Sequence, residues 1–184
     1  MLKVKIVLAG SADTGKTSFI QRYFGDYTGT EKVVGEKYRE KDVTIKGETY
    51  KVELDETEGV EGGVTVSDVK KASNVLVLFS VDNRDSLSVA KGLLGLVERL
   101  KENECRILLV ANKRDLQWKV TRQEVQEICV ARSCEFKEVS CLNEEEVPTF
   151  VNELVKSCVD DMKKQIETEK AKGKRESKKS CAVC

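Results

Sequence analysis

The chain has 184 residues, with 32 lysines and arginines, 32 aspartates and glutamates, seven cysteines and no histidine. Lacking histidine, it is excluded from Ser-His-Asp and Cys-His catalysis and from histidine-ligated metal chemistry, while an odd, irregular cysteine set excludes a disulfide framework. From Lys163 onward eight basic residues face three acidic ones, a net +5 that leaves −5 on the rest, which argues against nucleic acid across the fold and for a tail that meets an anionic surface.

The length suits one α/β domain with a sizeable core plus a tail. Leu2 to Ala9 alternates like a strand and then turns wholly apolar. The run is short and feeds directly into a loop, so no signal peptide is expected. No later stretch is long enough to span a bilayer, and an intracellular chain is expected. The loop is Gly10-Ser11-Ala12-Asp13-Thr14-Gly15-Lys16-Thr17, which matches G-x-x-x-x-G-K-[ST]. Its glycines permit a tight wrap whose N–H groups point at phosphate oxygens; Lys16 supplies a cation and the Thr17 hydroxyl a Mg²⁺ ligand. A helix over 17–25 follows, broken by Gly25-Asp26-Tyr27-Thr28-Gly29-Thr30. Strand, glycine loop and helix form the setting the motif requires.

Residues 27–36 read as a mobile loop. Tyr38 to Ile45 and Thr49 to Leu54 are strand-like runs around a Lys46-Gly47-Glu48 hairpin turn. The acidic, glycine-rich stretch from Glu56 to Gly63 is again loop, and a short amphipathic helix is expected over Ser67 to Ala72. Val75 to Val81 is a continuous apolar run, as in a strand covered on both faces. A helix over Asp85 to Lys101 carries Leu87, Ala90, Leu94, Val97 and Leu100 near one stripe, and Arg106 to Ala111 is a second buried strand. Thr121-Arg122-Gln123-Glu124 is a capping box opening a helix to Arg132. Phe136 to Ser140 forms a last strand, and a final helix is expected from near Pro148. Cys105, Cys129, Cys134, Cys141 and Cys158 lie among apolar residues and read as reduced interior thiols. The alternation of strands and helices predicts an α/β fold, a doubly wound, mostly parallel six-stranded sheet with its ligand at the strands' carboxyl ends.

Asn112-Lys113-Arg114-Asp115 follows the strand ending at Ala111, and Asn112 lies 96 residues after Lys16. A carboxylate placed there accepts from both N1–H and the N2 amino group of guanine, a donor pair that adenine lacks. With GSADTGKT at 10–17, NKRD at 112–115 and Ser140-Cys141-Leu142, the chain resembles the Ras superfamily of small GTPases over nearly its whole length. The last triplet matches the family's S-A-K loop, which touches guanine through backbone amides, but Leu142 replaces the lysine. Intervals from Gly35 to Gly47 and Gly47 to Gly59 look like the Rab branch, and the segment 16–23 is Rab-like or Ras-like.

The resemblance implies a small G-domain over 1–166, with Mg²⁺ as cofactor and GTP or GDP as ligand. Nucleotide contacts fall on Asp13, Thr14, Gly15, Lys16, Thr17, Ser18, Gly59, Asn112, Lys113, Asp115, Ser140, Cys141 and Leu142, and metal contacts on Thr17 and Glu56. Asp55 reaches the second metal position instead with a one-residue shift. Four departures stand where the family hydrolyses and switches. Val33 aligns with the threonine that senses Mg²⁺ and γ-phosphate. Glu56 replaces the family's Asp, and Val60 replaces the glutamine that orients the attacking water. Ala12 and Asp13 occupy positions that are glycine in Ras. A carboxylate pointing inward ~6 Å from a phosphate charge at an effective dielectric of ~20 costs about 2.8 kcal/mol; pointing to solvent, it loses most of that to screening. These departures imply slow unaided hydrolysis, the alternative being a non-hydrolysing, membrane-tethered interaction module. A P-loop ATP kinase is disfavoured by the guanine motif and the lack of a lid segment.

The chain ends Cys181-Ala182-Val183-Cys184, a C-a-a-X prenylation pattern with Cys181 as acceptor, after a flexible basic tail over 167–184. One lipid chain anchors only marginally, and the basic residues supply the second signal. A monomer is expected at the cytoplasmic face of a membrane, meeting effector proteins and exchange or activating factors, and no nucleic acid. Trp118 is expected to cover the edge of the core. Tyr27 lies near the family's aromatic edge on guanine, although the loop here is shorter.

Overall fold

A computed structural model of the chain describes residues 2–28, 38–57, 64–101 and 105–180, giving backbone alone for Tyr38 and for 169–180. Eleven elements alternate in the predicted manner. They are β1 (Lys3–Ala9), α1 (Lys16–Phe24), β2 (Tyr38–Ile45), β3 (Glu48–Glu56), α2 (Val66–Lys71), β4 (Asn74–Ser80), α3 (Arg84–Leu100), β5 (Arg106–Asn112), α4 (Arg122–Arg132), β6 (Glu135–Glu138) and α5 (Glu146–Ser180). The six strands form one sheet in the order β2-β3-β1-β4-β5-β6. Only β2 is antiparallel, joined to β3 by the hairpin; every other pairing is parallel.

The pleat sends alternate side chains to opposite faces, each covered by helices. Val4, Ile6 and Leu8 of β1 join Tyr50, Val52 and Leu54 of β3 beneath α1 and α5, packed with Phe19, Phe150 and Val151. Val7 and Ala9 enter the other core with Val75, Val77 and Phe79, beneath α2, α3 and α4. All seven residues of β4 are buried, as its unbroken apolar run requires. Phe19 is fully buried and meets Phe150 edge-to-face at 6.3 Å. Replacing Phe19 with alanine is expected to lower the unfolding free energy by about 3–5 kcal/mol, read from the chemical denaturation midpoint.

Two helix starts are set by reciprocal capping. Thr121 and Glu124 form the expected box at α4, and Thr65 with Asp68 forms another at α2. The final helix begins at Glu146, two residues ahead of the expected start, which leaves Pro148 inside its first turn, where a missing N–H costs nothing. The boundary expected after residue 166 falls inside one continuous helix, since the backbone stays helical to Ser180. Among the α5 side chains described, those of residues 146–168, the last buried one is Val159, with Met162 partly buried against the same cluster. The lysine- and glutamate-rich composition of the helix's last part favours helical backbone by intrinsic propensity. Cys105, Cys129, Cys134, Cys141 and Cys158 are free thiols, all buried but the half-buried Cys134. Trp118 packs partly buried against the α3 and α4 side of the core with the Arg122 guanidinium 4.3 Å from its ring, as expected of a residue covering that edge. No helix among the described residues is long and apolar enough to cross a membrane.

Candidate nucleotide site

The connection after β1 runs toward β2 and β3 and that after its neighbour β4 runs the other way toward β5, so a crevice opens at the carboxyl ends of β1 and β4. Residues 10–15 wrap around that point. Two glycines are required there by close approach. A Cβ on Gly10 would stand 2.5 Å from the Leu78 carbonyl oxygen, and one on Gly15 only 2.3 Å from Asn112 Nδ2, with Gly15 at a φ of +89°. Gly15 also caps α1, whose first N–H groups face the crevice. Buried Thr14 closes the loop, its hydroxyl donating to the Ser11 carbonyl at 3.0 Å. Lys16 is buried, and its ammonium donates to the carbonyls of Gly10 and Ser11, each at 3.0 Å. Burial holds its pKa below the usual lysine range, against the opposing pull of Glu56 and Asp13. Asp13 is solvent-exposed with a φ of +60°. Its carboxylate is near enough to Lys16 to pull that lysine's pKa upward.

The pleat sends Asp55 and Glu56 to opposite faces of β3. Glu56 shares the face of Val52 and Leu54 and reaches α1, where Thr17 Oγ1 donates to its two carboxylate oxygens at 2.9 and 3.2 Å. Asp55 lies on the opposite face, 2.7 Å from the Lys5 ammonium, which also pairs with buried Glu53 at 2.9 Å. Thr17 and Glu56 thus form a hard oxygen pair beside the phosphate loop. Such a donor set fits Mg²⁺, which takes few protein ligands and completes its shell with phosphate and water. Among the described residues no cluster of three or more acidic or cysteine side chains offers a full metal cage.

The second motif sits beside the first. Asn112 ends β5 and is buried, and its Nδ2 donates to the Thr14 carbonyl at 2.9 Å, tying the two motifs together. Lys113 turns the chain with a φ of +59°. Asp115 accepts a short hydrogen bond from the Ser140 hydroxyl. Cys141 is buried with its thiol pushed up to about 11, and it donates to Asn112 Oδ1 at 3.5 Å. Glu146 accepts from the Ser140 N–H and from Arg114 Nε, each at 2.9 Å. The Arg114 hydrogen bond is the first cause that holds the Glu146 carboxyl below the usual carboxylate range.

These residues enclose a cavity of about 200 Å³, lined by Gly15, Ser18, Asn112, Lys113, Asp115, Ser140, Cys141 and Leu142. Asp13, Thr14, Lys16 and Thr17 are not among the residues that line it; Gly15 and Ser18 are its contacts from the phosphate loop and α1. Tyr27 also lines it, in keeping with an aromatic edge there, and so does Leu116. Sequence reading missed Leu116, Arg22 and Glu146. A lone leucine after a motif, or an arginine on a helix, carries no pattern of its own. Gly59, Val60, Val33 and Cys181 lie outside the described residues.

Fold and site together define a P-loop nucleotide-binding domain whose second motif stands where a base would rest. The Ras family model matches residues 5–160, and the chain belongs to the Ras family. It is 27% identical over 128 residues to the Ras-related protein RabH of Dictyostelium discoideum, covering 67% of this chain and 65% of that one. Identity is 31% over 142 residues with the Ras-related protein Rab-17 of Mus musculus, covering 74% and 66%. With the Ras-related protein Rab-12 of Homo sapiens it is 23% over 174 residues, covering 89% and 68%. The chain thus spans between 65% and 68% of these relatives' own lengths.

Proposed function

We propose that this protein is a GTP/GDP switch acting in vesicle traffic or signalling at the cytoplasmic face of a membrane, with slow unaided hydrolysis. The observation that carries it is the single cavity in which Asn112, Lys113, Asp115 and the 140–142 turn meet the phosphate loop. In this reading Asp115 accepts from the guanine edge, the turn's amides face the base oxygen, and Lys16 leaves the Gly10 and Ser11 carbonyls for phosphate oxygens. Thr17 and Glu56 hold Mg²⁺, which neutralises phosphate charge. The Gly59 amide is left for the γ-phosphate. GTP and GDP states differ in the loops at 27–36 and 56–66 and so select effectors and exchange or activating factors. Residues 167–184 act as a basic tail that Cys181 prenylation turns into an anchor on a monomeric protein.

Slow hydrolysis follows from two side chains. Val60 has no atom to orient a water, and Val33 has no oxygen for Mg²⁺. The test is to extract nucleotide from the purified full-length chain and then follow single-turnover GTP hydrolysis. Bound GDP with turnover well below the rates typical of its relatives is the expected result, and restoring glutamine in Val60→Gln should raise the rate. Turnover at a typical family rate overturns slow hydrolysis. Protein that carries no guanine nucleotide and takes up none overturns the switch and leaves the non-hydrolysing interaction module.

A further inference from the structure

One side chain outside both motifs reaches from α1 to two other segments that line the cavity. Arg22 lies on α1, two residues before its end, and only 13% of its side chain is exposed. Its Nε donates to the Cys141 carbonyl at 2.6 Å, and a terminal nitrogen reaches the Leu142 carbonyl at 3.5 Å. The guanidinium carbon also lies over the Tyr27 ring, 4.2 Å from its centre, and the remaining nitrogen is 3.9 Å from the Glu144 carboxylate. Because α1 starts at the phosphate loop, Arg22 ties that loop's helix to the far turn across 119 residues of sequence.

We propose that Arg22 is a positioning residue for base recognition, fixing which edge of the 140–142 turn faces the cavity. A peptide unit is planar and trans, so its C=O and N–H point in opposite directions. Holding the Cys141 carbonyl toward α1 sends the Leu142 N–H the other way, where it donates to Ser140 Oγ at 3.2 Å, beside Asp115. Unpinned, the peptide is free to rotate and present a carbonyl where guanine presents its own oxygen, an acceptor against an acceptor. Glu146 restrains the Ser140 end through its N–H, but only Arg22 among the described residues bonds both carbonyls that follow. A lysine cannot reproduce this, since it lacks the planar fork whose separate nitrogens reach the two carbonyls.

This inference rests on the guanine-nucleotide reading, and its test separates the two. Affinities of the full-length protein for GDP and for 6-thioguanosine diphosphate are measured in wild type, Arg22→Met and Arg22→Lys, with melting temperatures beside them. The thio analogue keeps N1–H and the N2 amino group for Asp115 but carries a sulfur that accepts hydrogen bonds weakly. Arg22→Met is expected to weaken GDP roughly tenfold or more and the thio analogue much less, with Arg22→Lys intermediate. An equal loss for both nucleotides shows a merely structural role and overturns the inference. GDP affinity within twofold of wild type overturns it too. Wild-type protein that binds neither nucleotide overturns the guanine reading and this inference with it.

Discussion

Replacing Asp115 with alanine is expected to lower GDP affinity by about a hundredfold to ten-thousandfold, because two hydrogen bonds to a charged acceptor are lost, at about 1.5–3 kcal/mol each. The residue is solvent-exposed, its described partner is the Ser140 hydroxyl, and it supports no core side chain. The melting temperature of the ligand-free protein should therefore move by only a few degrees. ADP, which offers no paired donors at that edge, should bind the variant as weakly as it binds the wild type. Isothermal titration with both nucleotides reads the ratio, and an unchanged preference for GDP over ADP would exclude Asp115 as the base reader.

Gly15→Ala should act through the backbone instead, and on both nucleotide affinity and stability. At a φ of +89° a side chain is strained before it meets anything, and its Cβ would stand 2.3 Å from Asn112 Nδ2. Relief requires Asn112 to retreat, which breaks its 2.9 Å bond to the Thr14 carbonyl and leaves a buried amide and a buried carbonyl unpaired. Left-handed strain of about 1–2 kcal/mol and an unsatisfied buried group at about 1–3 kcal/mol together predict several degrees of lost melting temperature. Nucleotide binding should fall to the detection limit, since the same peptide opens α1 toward the phosphates. Wild-type melting together with wild-type GDP affinity would show that the loop tolerates a Cβ at Gly15.

Fully buried strands such as Val75 to Val81 and Arg106 to Ala111 are plain in sequence because no half-exposed element tolerates an unbroken apolar run. Likewise the Thr121 and Glu124 pair marks the start of α4, since the capping box is local chemistry. The phosphate loop and the base motif are local too, each a handful of neighbouring residues whose backbone or side chains act together. What lay out of reach was any fact that depends on two distant segments meeting. Asp55 and Glu56 are adjacent acids with equal claims in sequence; only the register of β3 against β1 sends one toward α1 and the other toward Lys5.

By itself, then, the amino-acid sequence determined the order of elements and the two motifs, because each is a property of neighbouring residues. Tertiary structure alone decided the partner of Thr17, the exposure of Asp13 at the surface and the grip of Arg22 on the 141–142 turn. Those depend on strand register, on solvent exposure and on contacts across more than a hundred residues of chain, for which spacing in sequence carries no signal.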